Sequence, residues 1–260
     1  MKVGDAMAKY LMGWALFLTV LVGGWVDIAS AGTMILRGST AGGSVPAFRS
    51  YADSADGTVS GVGSISTTTN LTVSAGDAIV AFVAKDNSGI INSVTCGSNS
   101  LTQAKVYYNS TDAYYYEAWV GLNMGAYTGT CTATFSVSYV SWSSIQAASY
   151  SGIATSSAID QTACNSASCD ALASSSANIT TQNVTTTVAN ELLVVGALAW
   201  NNDVEYTGAN GYTPRRAGST RLHNIIDKTV SSTGTYPSAT VATIGTADSY
   251  ISILLTLKGL

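Results

Sequence analysis

A single histidine, His223, limits the hydrolytic and metal chemistry open to this chain. A Ser-His-Asp hydrolase would have to use it, yet no serine sits in a Gly-x-Ser-x-Gly elbow. A lone histidine on a predicted strand more often packs than reacts. Zinc is not expected either, because no Cys-x-x-Cys occurs and His223 has no cysteine near it in sequence. Polysaccharide-cleaving copper monooxygenases use an N-terminal histidine, whereas the mature end expected here is Gly32. A glycosidase needs two carboxylates across a cleft. Glu117, Asp160, Glu191, Asp203, Glu205 and Asp227 qualify by type, and their spacing singles out no pair. Asp77 and Glu191 open strands and read as turn formers. Asp227, in Ile225-Ile226-Asp227-Lys228, reads as the partner of a neighbouring cation. No catalytic residue and no cofactor are expected.

Binding has better material. Tyr107-Tyr108 and the run Tyr114-Tyr115-Tyr116-Glu117-Ala118-Trp119 concentrate aromatics in two adjacent predicted strands. Strand alternation puts Tyr114, Tyr116 and Ala118 on one face and Tyr115, Glu117 and Trp119 on the other. One face enters the core. The other could offer flat rings to a sugar, with Glu117 accepting from hydroxyls, although aromatics also favour strands for packing alone. Calcium is a weak option at Asp53-Ser54-Ala55-Asp56-Gly57 or Lys85-Asp86-Asn87-Ser88-Gly89, neither of which has the full spaced ligand set of an EF-hand.

Composition restricts the setting. Only 10% of residues are charged and 47% are hydrophobic, against about 25% charged in ordinary domains, the reverse of a disordered chain. The net charge of −4 and pI near 4.7, with nothing more basic than Arg215, Arg216 and Arg221, disfavour nucleic acid. Residues 10–26 are apolar, follow Lys2 and Lys9, and precede Ala29-Ser30-Ala31. This reads as an export signal over residues 1–31, cleaved before Gly32. An uncleaved membrane anchor is the rival reading, and the remainder of the chain is secreted or at the cell surface in either case. Cys96, Cys131, Cys164 and Cys169 then read as disulfide partners. Three connectivities exist, of which Cys96 with Cys131 and Cys164 with Cys169 is preferred because it leaves neither pair distant. Asn70, Asn109, Asn178 and Asn183 head Asn-x-Ser/Thr sequons, whose use depends on the host.

The elements that would position these residues are strands. Residues 32–45 form a flexible lead with one apolar patch, Met34-Ile35-Leu36, suited to docking on a sheet edge of a neighbour. From residue 46 onward, strand-like segments alternate with Gly, Asn, Ser and Asp clusters. They occupy residues 78–84, 101–108, 114–122, 131–137 and 144–150, then 191–200, 221–230, 238–243 and 250–258. The two series rhyme. Ala75-Gly76-Asp77-Ala78-Ile79-Val80 matches Ala189-Asn190-Glu191-Leu192-Leu193-Val194. Ser100-Leu101-Thr102-Gln103-Ala104 matches Gly211-Tyr212-Thr213-Pro214-Arg215, and YYYEAWVGLN matches RLHNIIDKTV. Gly129-Thr130-Cys131 answers Gly234-Thr235-Tyr236, and the series close on Ser151-Gly152 and Lys258-Gly259. The intervening residues 153–178 read as a linker. Two such halves pack as facing sheets or interleave into one sandwich.

The segments GDAIVAFVA, SYSGIATSSAID, TTTVANELLVVGALAW, GYTPRRAG and IIDKTVSSTGTYPSATV together resemble an extracellular β-sandwich module found in bacterial and phage-associated surface and tail-type proteins. The likeness covers roughly residues 48–257. It implies the fold and an extracellular location, and carries over no catalytic residue.

The expected protein is all-β, a jelly-roll-like antiparallel sandwich over residues 46–260 built from two similar strand series. Its expected role is noncatalytic, structural or adhesive, in a surface or filamentous assembly. Its partners would be further copies or other surface proteins. A carbohydrate-binding module using the aromatic strand is the alternative, and a polysaccharide-active hydrolase or lyase comes third.

Overall fold

The computed structural model describes residues 44–260 apart from 55–62, 87–88, 110–113, 200–203, 217–221 and 237–240, together with the pair 27–28 and 34–35. The chain divides into two compact units, Met1–Gly42 and Gly43–Leu260. In the first, Asp27–Ile28 pairs antiparallel with Met34–Ile35. The rest of the predicted signal and of the lead as far as residue 43, Leu36 included, lies outside the described residues.

The second unit is all-β, and every strand pair in it is antiparallel. Its first half contains β1 (Ala47–Asp53), β2 (Ser64–Ser66), β3 (Leu71–Val73), β4 (Ala78–Asp86), β5 (Ile91–Cys96), β6 (Thr102–Asn109), β7 (Tyr114–Gly121), β8 (Tyr127–Gly129), β9 (Cys131–Phe135) and β10 (Ser143–Ser151). The second half contains β11 (Ile159–Cys164), β12 (Ala173–Ile179), β13 (Val184–Thr185), β14 (Glu191–Ala199), β15 (Tyr206–Gly208), β16 (Thr213–Pro214), β17 (His223–Val230), β18 (Thr235–Tyr236) and β19 (Ala242–Lys258). Residues 153–178, expected as a linker, thus supply β11 and most of β12. Their Ser, Asn and Asp content hid them, because β12 alternates little and pairs irregularly along β19.

The main sheet of the first half has the order β1-β10-β4-β7-β6, and that of the second β11-β19-β14-β17-β16. The smaller strands correspond as well. β2 and β5 flank β9, as β12 and β15 pair with the start of β19, and β3 pairs with β8 as β13 does with β18. The single strand β19 does the work of β9 and β10 together. The register coincides: Ile79 faces Gly121 and Ser149, while Leu193 faces Lys228 and Thr256. These are the positions that the sequence rhyme places opposite one another. Even the turns agree, since Gly76 (φ 87°) and Asn190 (φ 58°) both hold the left-handed conformation that Gly and Asn tolerate best.

Nearly continuous apolar strands make sense only if both faces are covered. In β4, Ala78, Val80 and Phe82 enter a central core shared by the two main sheets, whereas Ile79, Ala81 and Val83 enter a separate core beneath β2, β5 and β9. In β14, Leu192, Val194 and Leu198 join the central core, and Leu193, Val195 and Ala197 enter a third. The main sheets therefore stack face to face, each with an outer layer of its own. Cys96 is bonded to Cys131 directly opposite it on β9, and Cys164 to Cys169.

Candidate functional site

The aromatic strand β7 divides as alternation requires. Tyr116 is fully buried in the central core and stacks on Phe82 (5.8 Å between centroids, 23°). Tyr114 meets Trp142 edge-on at 5.9 Å. On the opposite face, Lys85, Tyr115 and Tyr108 lie side by side across three strands. Lys85 Nζ stands 4.2 Å from the Tyr115 centroid, and the Tyr108 ring stacks on Tyr115 at 4.5 Å. Burial draws the Lys85 ammonium below its ordinary value, opposed by the charges of Asp86 and Glu117, and Nζ donates to the Asp86 carbonyl (2.7 Å).

Glu117 and Trp119 share that face but are buried. Glu117 Oε2 accepts from Gln103 Nε2 (2.7 Å) and Trp119 Nε1 (3.0 Å). Burial raises the Glu117 carboxyl, while these two bonds and Lys85 pull it down. Of the five aromatic-strand residues named from sequence, Tyr115, with Tyr108 beside it, is the part of this face left partly exposed. Glu117 is engaged by its own neighbours, Gln103 and Trp119. Gln103 carried no signal that would have marked it.

The candidate acids are scattered. Asp77 Oδ2 accepts from the Ser74 amide (2.8 Å), and Glu191 Oε1 does the same for Val188 (3.3 Å) at the matching turn. Asp77 also pairs with Arg49 (2.8 Å). At the matching place in the second half the partner is Asp160, hydrogen-bonded to Glu191. Burial raises the Glu191 carboxyl and the Asp160 charge adds to that. For Asp160 burial also acts upward, but bonds from Thr187 and Glu191 and the Lys258 charge 3.6 Å away hold it below the usual range. The Glu191 side chain of this pair is fully buried. Asp203 lies outside the described residues, and Glu205 is exposed.

A few polar side chains bridge the two main sheets. Asp227, on β17, accepts from Tyr150 Oη of β10 (2.8 Å) and from both Nε and Nη2 of Arg215. The Arg215 guanidinium lies 3.9 Å from the Phe48 ring centroid. Arg216 pairs with Asp53. Ser144 Oγ and His223 Nδ1 are 2.8 Å apart, a contact of nucleophile–base type that sequence spacing did not reveal. Both residues are about 1% exposed. A cavity of about 200 Å³ lined by Tyr114, Trp142, Leu198, Ala199 and Leu222 opens near them, but neither lines it.

The two calcium loops were named on acids that have other partners here. Asp53 faces Arg216, and Asp86 Oδ2 accepts from the Ser141 amide (2.7 Å). Among the described residues, no group of three or more His, Cys, Asp or Glu side chains could hold a metal ion.

No family model, no curated protein and no solved structure matches this chain.

Proposed function

We propose that this is a noncatalytic extracellular structural or adhesive protein, built as two jelly-roll-like sandwiches stacked through their main sheets, and a subunit of a surface or filamentous assembly. One observation carries the reading. Among the described residues, several side chains able to do chemistry are buried and engaged with one another, with the Tyr150–Asp227–Arg215 network joining β10 to β17 as the clearest case. Glu117, Glu191, His223 and Asp227 are each 3% exposed or less. An enzyme needs its acid or nucleophile within hydrogen-bond reach of a substrate, and here these groups act as fasteners. Two disulfides suit an oxidising location outside the cytoplasm. The nested pairing β1·β10, β2·β9, β3·β8, β4·β7 supports the jelly-roll-like reading, in which hairpins lie within hairpins.

Glycan binding is the second reading. It rests on the half-exposed Tyr108–Tyr115 stack, since aromatic rings at a sheet edge suit sugar faces.

Negative-stain microscopy of the purified protein tests the proposal. Filaments or large regular oligomers are expected. Isolated particles of one chain, together with retention on a polysaccharide column that Tyr108→Ala/Tyr115→Ala abolishes, would favour the second reading.

A further inference from the structure

The two halves differ in chemistry at one set of matching positions. Phe48 pairs with Tyr150 as Ile159 pairs with Leu257, and Tyr150 pairs with Ala78 as Leu257 pairs with Leu192. One residue along each strand, Arg49, Asp77 and Ser151 therefore correspond to Asp160, Glu191 and Lys258. The first half holds an Arg49–Asp77 ion pair there. A guanidinium beside a carboxylate goes no further than a salt bridge. In the second half a primary amine meets two carboxyl groups, and that set can form a bond.

The geometry brings the three together. Lys258 Nζ lies 3.6 Å from Asp160 Oδ1. Glu191 stands directly opposite Lys258 across the β14·β19 pairing and is hydrogen-bonded to Asp160. Backbone bonds hold the chain around Lys258 on both sides. Its amide donates to the Ala158 carbonyl (2.8 Å), its carbonyl accepts from the Ala154 amide (2.9 Å), and the Gly259 amide donates to the Asn190 carbonyl (2.8 Å). Asp160 is fixed as firmly, because the Thr187 amide donates to Oδ2 (2.7 Å) and Thr187 Oγ1 to Oδ1 (2.6 Å). Glu191 is fully buried and the Asp160 side chain only 5% exposed. Burial raises the Glu191 carboxyl, which makes it the acid of the set.

We propose that Lys258 and Asp160 condense into an intramolecular amide, with Glu191 moving the protons. Glu191 gives its proton to an Asp160 carboxylate oxygen and takes one from the Lys258 ammonium. The free amine attacks Asp160 Cγ, and the N–C bond forms. The Thr187 amide and hydroxyl stabilise the oxygen on which charge develops. A second proton then passes from nitrogen through Glu191 to the departing oxygen, the C–O bond breaks, and water leaves. Ammonium and carboxylate become amide and water, Glu191 ends as it began, and no oxidant, reductant or activated donor is consumed. Fixed contact between the reacting groups corresponds to an effective concentration of about 10⁵–10⁸ M. The bond would tie β11, the first strand of the second half, to the end of β19. Unlike the two disulfides, it would survive reduction.

Mass spectrometry of the full chain, denatured and with both disulfides reduced, tests this. The parent is expected to weigh one water less than the linear sequence from its measured N-terminus. Proteolytic fragments containing Asp160 and Lys258 are expected as a single covalent species. Lys258→Arg keeps the ion pair without a nucleophilic amine and should restore the linear mass. Glu191→Gln removes the proton carrier, should slow the step by about 10²–10⁴-fold, and should leave linear chain. Circular dichroism checks that both variants fold, and the parent's fragment map decides the matter even where a variant does not. A parent of linear mass, a water lost at other residues, or a bond that persists in folded Lys258→Arg overturns the inference. The mass is read on separated, unfolded chains, so none of these outcomes bears on the assembly reading.

Discussion

The ring of Phe82 occupies the space that a side chain at Gly196 would need. A Cβ built at 196 would overlap that ring and stand 2.5 Å from Tyr116 Oη. The two residues occupy equivalent positions in β4 and β14, and they meet across the central core. Contact between equivalent positions is the mark of a two-fold arrangement. The halves of this chain pack as the subunits of a symmetric dimer do, with a knob on one side fitting a gap on the other.

Gly196→Ala should therefore destabilise the fold by about 1–3 kcal/mol through overpacking. Adding Phe82→Leu, which frees room, should recover part of the loss. Urea midpoints of the two single variants and the double variant check this. Simple additivity would mean the two positions do not share the same space.

Asp227→Ala strands the Arg215 guanidinium and the Tyr150 hydroxyl between the sheets. Breaking a buried pair of this kind costs about 3–5 kcal/mol. A loss below about 1 kcal/mol in denaturant unfolding would show that the network does not fasten the sheets.

Glu117 gives the stability a pH dependence of defined sign. Burial raises its carboxyl above the ordinary 4.5, so the folded chain keeps a proton that the unfolded chain has already released. The associated stability is complete below that ordinary value and is lost as pH rises through the raised folded value, at up to about 1.4 kcal/mol per pH unit. Glu117→Gln keeps an acceptor for Gln103 and Trp119 and should flatten this slope. Urea midpoints between pH 4 and pH 8 measure it, and an unchanged slope would assign the dependence to another group.

Replacing Cys96 and Cys131 with Ala should cost about 2–5 kcal/mol. Removing the Cys164–Cys169 bond should cost about 1.5 kcal/mol less on chain-entropy grounds, because it closes 5 residues of separation instead of 35. Thermal unfolding of the two double variants gives the order, and the reverse order would locate the greater constraint in the short loop.

Strand class and the internal rhyme were legible in the sequence because turn chemistry and apolar runs are local signals. Gly76 and Asn190, and the acids Asp77 and Glu191 that follow them, marked matching turns before any pairing was known. The short strands β2, β3, β8 and β13 were not legible, since two or three residues carry no period. β12 was hidden by its serines. The aromatic strand showed its two faces, but not that Glu117 would be enclosed by Gln103 and Trp119, because Gln103 comes from a neighbouring strand. The Tyr150–Asp227 and Ser144–His223 contacts join residues 77 and 79 positions apart, and no local pattern announces such meetings.

The reading as a self-assembling structural subunit is tested most directly by the weight-average mass of the purified protein, measured by light scattering across a wide concentration range. The account predicts a mass that climbs with concentration well beyond one chain of 26.7 kDa. A mass that stays at one chain throughout would contradict it.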